Sequence, residues 1–423
     1  MENRKQKKKK LSVHDNLTIF IKRTKPLPWI FYLAVCIAMV AVMLVEGNKE
    51  VTIQDSVPEV LTSDSVGFRM TIVGDINIDD SIRTQANAIS YSGLFKGVKN
   101  YWDTSDYIMA NINGPVLKYE PSHYTSRKEI DEETLYLRPR AVRGMNDAGI
   151  NLMSFANEDV FNYGITGINS TIEVLEKNNI HYLGIAKDST QPIYQILEYQ
   201  LKGETKSQER HKIAVFCVND IIPEHSTVNI SRAGIINSSI DSVYESIYEA
   251  SQECDQVIAY VHFGEDGKAS VSDAQKQIAH AMVDAGASLV VGSHSHMVQS
   301  MEQYNGGLIV YGLGDFVATG SYSNTLDSVM LDYVITRDNK ATVYLTPVRI
   351  EGGKPTITTS LFYKKRIISS LIGSMSESFF DAVEEGIISV PVEKVPKNIS
   401  IDIKEDEDVK SEEHNSKENI LER

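Results

Sequence analysis

With 423 residues, 42% of them hydrophobic, the chain has room for one large core or two ordinary ones. Its formal net charge is −15, but nine of its 42 basic residues and two of its 57 acidic ones fall in residues 1–26, leaving 33 against 55, a formal −22, for the rest. A cationic leader on an acidic body is not a basic folded surface, which excludes nucleic acid as a partner, and three cysteines exclude a cysteine metal site.

In chain order, the leader carries Arg4, Lys5 and the run Lys7 to Lys10, and Leu17, Phe20 and Ile21 stand at the spacing of a short interfacial helix. It runs into Trp29 to Val45, 17 residues without a charge, and the spacing predicts a transmembrane anchor over 27–46. A cleavable signal peptide is the rival reading. The leader is long, however, and no small-x-small cleavage pattern follows Val45, where the chain reads EGNKE. The positive-inside rule puts the N-terminus in the cytoplasm and the large domain outside a bacterial cell membrane, crossed once. A polar linker over 47–66 leads to a domain over 67–365, a C-terminal extension over 366–396, and a charged, aromatic-free tail over 397–423 that reads as disordered.

Within the domain, apolar strands end in polar or glycine-rich turns: FRMTIVGDIN, DYIMANING, INLMSFANED, KIAVFCVND, QVIAYVHFGED, SLVVGSHSH and GLIVYGLGDF. Helical patterns lie between several of them. GITGINSTIEVLEKNN puts Ile168, Ile172 and Leu175 on one face, and SDAQKQIAHAMVDAG opens with a Ser272/Gln275 capping box and stops at Gly286. This alternation predicts an α/β domain, and TVYLTPVRI and PTITTSLFY predict closing antiparallel strands. Cys217, in a core strand, and Cys254 read as buried thiols rather than a disulfide.

In such folds ligands gather beyond the carboxyl ends of strands. There stand Asp75, Asn111, Asn113, Asn157, Glu158, Asp159, His262, Glu265, His294, His296 and Asp315. Imidazoles with carboxylates are a ligand set for Zn, Mn or Fe. His294 and His296, at i and i+2, would project together if the chain there is extended. The same residues read more plainly as turn formers and strand-end histidines bonded to backbone.

The motifs VGDI, ANINGPV, FANEDVFNYG, VHFGED, DAGASLVVGSHSHMVQSME and IVYGLGDFV resemble, in order and spacing, the CapA/PgsA family of poly-γ-glutamate capsule synthesis, from the leader to about Ile350. The resemblance implies a layered α-β-β-α sandwich of the calcineurin-like metallophosphatase kind behind one transmembrane helix. It implies work with a poly-γ-glutamate ligase and membrane export subunits on an anionic γ-glutamyl polymer. It also implies metal ligation by Asp75, His262, His294 and His296, to which Glu158 adds a carboxylate of this chain's own, with Asn111, Asn113, Asn157, Glu265 and Asp315 around them. Several positions depart from the family pattern. Asn113 stands where the family has a carboxylate, Glu158 where it has an asparagine, and Asp159 where it has a histidine. At most one divalent metal, Mn, Zn or Fe, is therefore expected. Asp159 and His262 remain the catalytic candidates, and hydrolysis is expected to be weak or absent. The alternatives are a metal-dependent extracellular phosphoesterase and a non-catalytic binding module.

Overall fold

The structure, a computed structural model, describes residues 37, 59–124, 134–201, 210–239, 241–320, 322–373, 381–383 and 387–392. The chain divides at residue 55, and apart from Ile37 the described residues fall in the second unit, Ser56–Arg423. The expected anchor and tail lie outside the described residues, Ile37 excepted. Among the described residues no helix is long and apolar enough to cross a membrane.

β1 (Val66–Asn77) is buried along nearly its whole length, as its continuous apolar pattern requires of a strand covered on both faces. β2 (Tyr107–Asn113), β3 (Leu152–Ser154) and β4 (His181–Leu183) follow it in parallel. β5 (Ile185–Ala186) comes next in the chain. A second sheet begins with β6 (Tyr194–Tyr199) and β7 (His211–Asn219), while β8 (Gly234–Ile235) pairs with β5. β9 (Gln256–Phe263), β10 (Leu289–His294), β11 (Met301–Tyr304) and β12 (Gly307–Val310) complete it in the order β11-β12-β10-β9-β7-β6. β13 (Asp315–Val317) returns to β1. β14 (Asp327–Thr336), β15 (Ala341–Glu351), β16 (Lys354–Ile357), β17 (Asp381–Val383) and β18 (Ile387–Val392) extend the first sheet, ordered β17-β18-β15-β14-β1-β2-β3-β4 with β16 on β15.

The two sheets close on one apolar core, where Met70, Ile72, Leu331 and Leu345 meet Val215, Tyr260 and Val291. The helices Asp80–Ile89, Pro139–Asp147 and Gly164–Lys177 bury Ile82, Met145 and Ile168 in a second core with Val73 and Ile76. Asp241–Glu253 and Asp273–Asp284 pack Ile247 and Met282 in a third with Ala259 and Val290. The layers are α-β-β-α. The capping box Ser272/Gln275 forms, and Gly286 follows that helix at φ +119°.

Two elements differ from the sequence reading. PTITTSLFY is a strand only to Ile357, because Ile367 and Leu371, four apart, draw the helix Leu361–Ile372 onto the inter-sheet core. β14 carries Asp327 and Asp332 inside an apolar run, so it does not read as a core strand. Arg69 on neighbouring β1 neutralises Asp332 through Nε and Nη2 at 3.0 and 2.9 Å, with both side chains fully buried. β18 pairs with β15, so residues 387–392 belong to the sheet, and residue 365 falls inside the helix Leu361–Ile372.

Candidate metal centre

The pairing of β1 shifts register between Ile72 and Asp75, an irregularity that re-aims the strand end carrying Asp75. Gly74 lets β13 approach there: a Cβ on it would lie 1.8 Å from the Gly314 carbonyl oxygen. Asp75 and Asp315 are consequently register partners. β10 ends at His294, and φ is +89° at His294 and +55° at His296. Two non-glycine residues in the left-handed region cost about 1–3 kcal/mol each, and such strain concentrates at functional sites.

This backbone separates the two histidines instead of aligning them. The same-side expectation fails because neither residue is extended. His294 joins Glu158 and His262, whereas His296 joins Asp75 and Asp315. In the first group Glu158 Oε1 lies 3.2 Å from His294 Nδ1, Glu158 Oε2 3.0 Å from His262 Nε2, and the two ring nitrogens 3.2 Å apart. In the second, His296 Nδ1 lies 2.7 Å from Asp315 Oδ1. The ring centroids of His294 and His296 are 6.2 Å apart.

Buried amides wire the floor between the groups. Asn111 Nδ2 donates to Asp75 Oδ1 and to Asn113 Oδ1, both at 2.7 Å. Asn113 Nδ2 donates to Asn77 Oδ1 at 2.8 Å, and Asn77 Nδ2 to Asp315 Oδ1 at 2.9 Å. Asn157 donates to Asn111 Oδ1 at 3.2 Å and to the Ile112 carbonyl at 2.9 Å, and accepts from the Val160 amide, fixing the turn that presents Glu158. Ser293 Oγ sits 2.9 Å from His262 Nδ1, an outer partner that orients the ring with Nε2 toward Glu158. Asp159 accepts from Asn162 Nδ2 at 3.1 Å. Glu265 is exposed and outside both groups; its neighbour Asp266 lies 3.8 Å from His296 Nε2.

Three participants escaped the sequence reading: Asn77, Ser293 and Asp266. Asn77 was findable, since it stands two residues beyond Asp75 on the same strand face. Ser293 meets His262 as its register partner across β10 and β9, and Asp266 owes its position to a turn; no local pattern announces either.

The two groups differ electrostatically. Burial works against the charge of Glu158, but the imidazoles of His262 and His294 beside it outweigh burial and hold its carboxyl well below the usual carboxylate range. Burial likewise opposes charge on His294, and Glu158 raises its pKa above the ordinary imidazole value. For His296, the bond to Asp315 outweighs burial and pushes the imidazole up to about 10. Burial and the charge of Glu158 push Asp159 upward, so its carboxyl keeps its proton more readily than a free one.

The residues fit a cation, and they fit it unequally. Glu158 Oε2 is buried without a hydrogen-bond donor; the nearby His262 nitrogen approaches outside hydrogen-bond geometry. A carboxylate oxygen facing two imidazole nitrogens is satisfied by a divalent ion, and one carboxylate with two histidines suits Zn, Fe or Mn. In the other group, Asp75 already accepts from Asn111 and from the His294 backbone amide (3.1 Å), and Asp315 Oδ1 from Asn77 and His296. A second ion there must displace existing bonds. Asn113, between the groups, offers no anionic bridge to offset repulsion between two cations.

The cysteines are free: Cys217 and Cys254 are buried, and burial pushes the Cys217 thiol up to about 12.

Among curated proteins, the chain is 28% identical over 375 residues, 88% of each chain, to a capsule biosynthesis protein CapA of Bacillus anthracis. It is 26% identical over 400 residues, 92% of this chain and 99% of the other, to a PGA biosynthesis protein CapA of Bacillus subtilis strain 168. Among solved structures, the calcineurin-like phosphoesterase YfkN of Bacillus subtilis aligns with a TM-score of 0.39 and 14% identity, over 69% of this chain and 88% of that one. Residues 69–319, more than half of the chain and inclusive of both ligand groups, match the family of bacterial capsule synthesis protein PGA_cap, and the chain belongs to that family.

Proposed function

We propose that this protein works in poly-γ-glutamate capsule synthesis as a single-pass protein of a bacterial cell membrane. Its leader lies in the cytoplasm, and its folded domain handles the anionic polymer outside, beside ligase and export subunits. The observation that carries this reading is the match along 92% of the chain and 99% of a relative named for PGA biosynthesis. The anchor rests on the uncharged run Trp29 to Val45 after a basic leader.

In this reading Glu158, His262 and His294 hold one divalent cation, which when bound supplies a Lewis-acidic position for a carboxylate oxygen of the polymer. The chain's own groups do the rest. Asn111 and Asn157 hold the floor, Ser293 keeps His262 in orientation, and burial with the charge of Glu158 pushes the Asp159 carboxyl upward. Asp159 stands where related phosphoesterases carry an imidazole general acid, and this substitution favours binding over hydrolysis.

Deletion of the gene should abolish surface polymer, and wild-type chain, but not Glu158→Gln or His294→Ala, should restore it. Normal polymer in the deletion strain would refute the role. A hydrolytic reading is kept alive by Asp159, whose raised pKa suits proton donation. Turnover of a phosphomonoester by purified protein with Mn or Zn, lost in Asp159→Asn, would establish it.

A further inference from the structure

A body with a formal charge of −22 repels a polyanion, so contact with one needs a local concentration of cations. The described structure has one at the site end of the first sheet. Asp327, 4% exposed, is shared by two guanidinium groups. Arg349 Nη1 meets Oδ1 at 2.6 Å, and Arg366 meets Oδ2 through Nε at 2.6 Å and Oδ1 through Nη2 at 2.7 Å. No second carboxylate touches either arginine among the described residues, so one positive charge stays uncompensated.

The arginines also enclose an aromatic ring. The Arg349 and Arg366 guanidinium carbons lie 4.3 and 5.2 Å from the Tyr363 ring centroid, and Arg366 lies 5.5 Å from that of Phe362. Lys365 is exposed and, at i+3 from Phe362, continues the same helix face. Phe362 is 68% exposed. The helix begins here with no acidic residue in its first turn and no side-chain bond from Ser360, leaving its positive pole open to an anion.

The strand that carries Asp327 packs against the segment leading to Asp315, in the ligand group of Asp75 and His296. A Cβ on Gly314, the residue before Asp315, would lie 2.5 Å from the Asp327 carbonyl oxygen, and Val329 donates to the Leu313 carbonyl at 3.0 Å.

We infer that Arg366, Lys365 and the rings of Phe362 and Tyr363 form the docking surface for a poly-γ-glutamate strand on its way past Glu158, His262 and His294. The inference rests on the proposed capsule role. Guanidinium and ammonium groups take the repeating carboxylates, and the exposed Phe362 ring, with half-buried Tyr363 beside it, takes the methylene stems between them. An anionic membrane is the competing occupant and is tested beside the polymer.

The test is equilibrium binding of fluorescent poly-γ-glutamate to the full chain in neutral detergent, with vesicles containing phosphatidylglycerol as a second probe. Lys365→Glu and Phe362→Ala alter exposed side chains outside the core. Each should weaken polymer binding, the charge reversal by roughly tenfold. Lys365→Arg should bind as wild type, and wild-type binding should fall as salt rises from about 0.05 to about 0.5 M. Equal binding by wild type and both variants, or no binding by wild type, would overturn the assignment. So would variant-sensitive binding to vesicles with unchanged binding to polymer. The capsule role is read separately: an assigned surface with normal polymer in the deletion strain would leave the surface standing and remove the role.

Discussion

At the scale of single residues, the neutral amide of Asn113 limits the negative charge of the site. Two cations a few ångströms apart need an anion between them, and an amide carries none. The purified chain is therefore expected to bind one equivalent of Mn or Zn by elemental analysis. Glu158→Gln should weaken that binding by more than the roughly 10–100-fold typical of losing an outer partner. Asn113→Asp, which keeps the shape of the side chain, should raise the stoichiometry toward two. Two equivalents in the wild type would contradict this account. The backbone offers a second test, at His296 with φ +55°. Both His296→Gly and His296→Ala delete the imidazole, but glycine tolerates that φ. In urea unfolding the glycine variant should be the more stable by about 1 kcal/mol, against its ordinary entropic disadvantage.

At the scale of elements, the site depends on how closely β1 and β13 approach. Gly74 has no room for a methyl group, its Cβ position lying 1.8 Å from the Gly314 carbonyl. Gly74→Ala must push the strands apart and pull Asp75 from its register with Asp315. It should cost about 1–3 kcal/mol, as overpacking does, and lower metal affinity at the same time. Ser272→Ala provides the control: loss of the capping bond to the Gln275 amide should cost about 1 kcal/mol and leave metal binding unchanged. If both variants lose stability and metal alike, strand closure is not what positions the centre.

At the scale of the whole molecule, the contrast between a basic leader and an acidic body predicts topology. Protease added to intact cells should remove the folded domain and spare the leader and span. A domain protected in accessible cells would reverse the orientation. The same acidity predicts that polymer binding by the folded part is weak and salt-sensitive, because the cationic face at Lys365 and Arg366 is small against the field of the remainder. Binding that is tight and indifferent to salt would need another contact surface.

Periodicity was enough to read β1, β2, β7, β9 and β10, the helices Gly164–Lys177 and Asp273–Asp284, and the gathering of Asp75, His262 and His294 at strand ends. Each of these signals is local: apolar alternation or helical spacing, a cap, and a polar residue where a strand stops. β14 escaped because its two aspartates become acceptable in a core strand only when Arg69, Arg349 and Arg366, distant in sequence, arrive beside them. The division of the site into two ligand groups was equally hidden. The motif Gly292-Ser293-His294-Ser295-His296 names the histidines, but their direction comes from two positive φ values. Glu158 and Asp315 approach them from elements far apart in sequence, and a local pattern carries no distance between such elements; only packing supplies it.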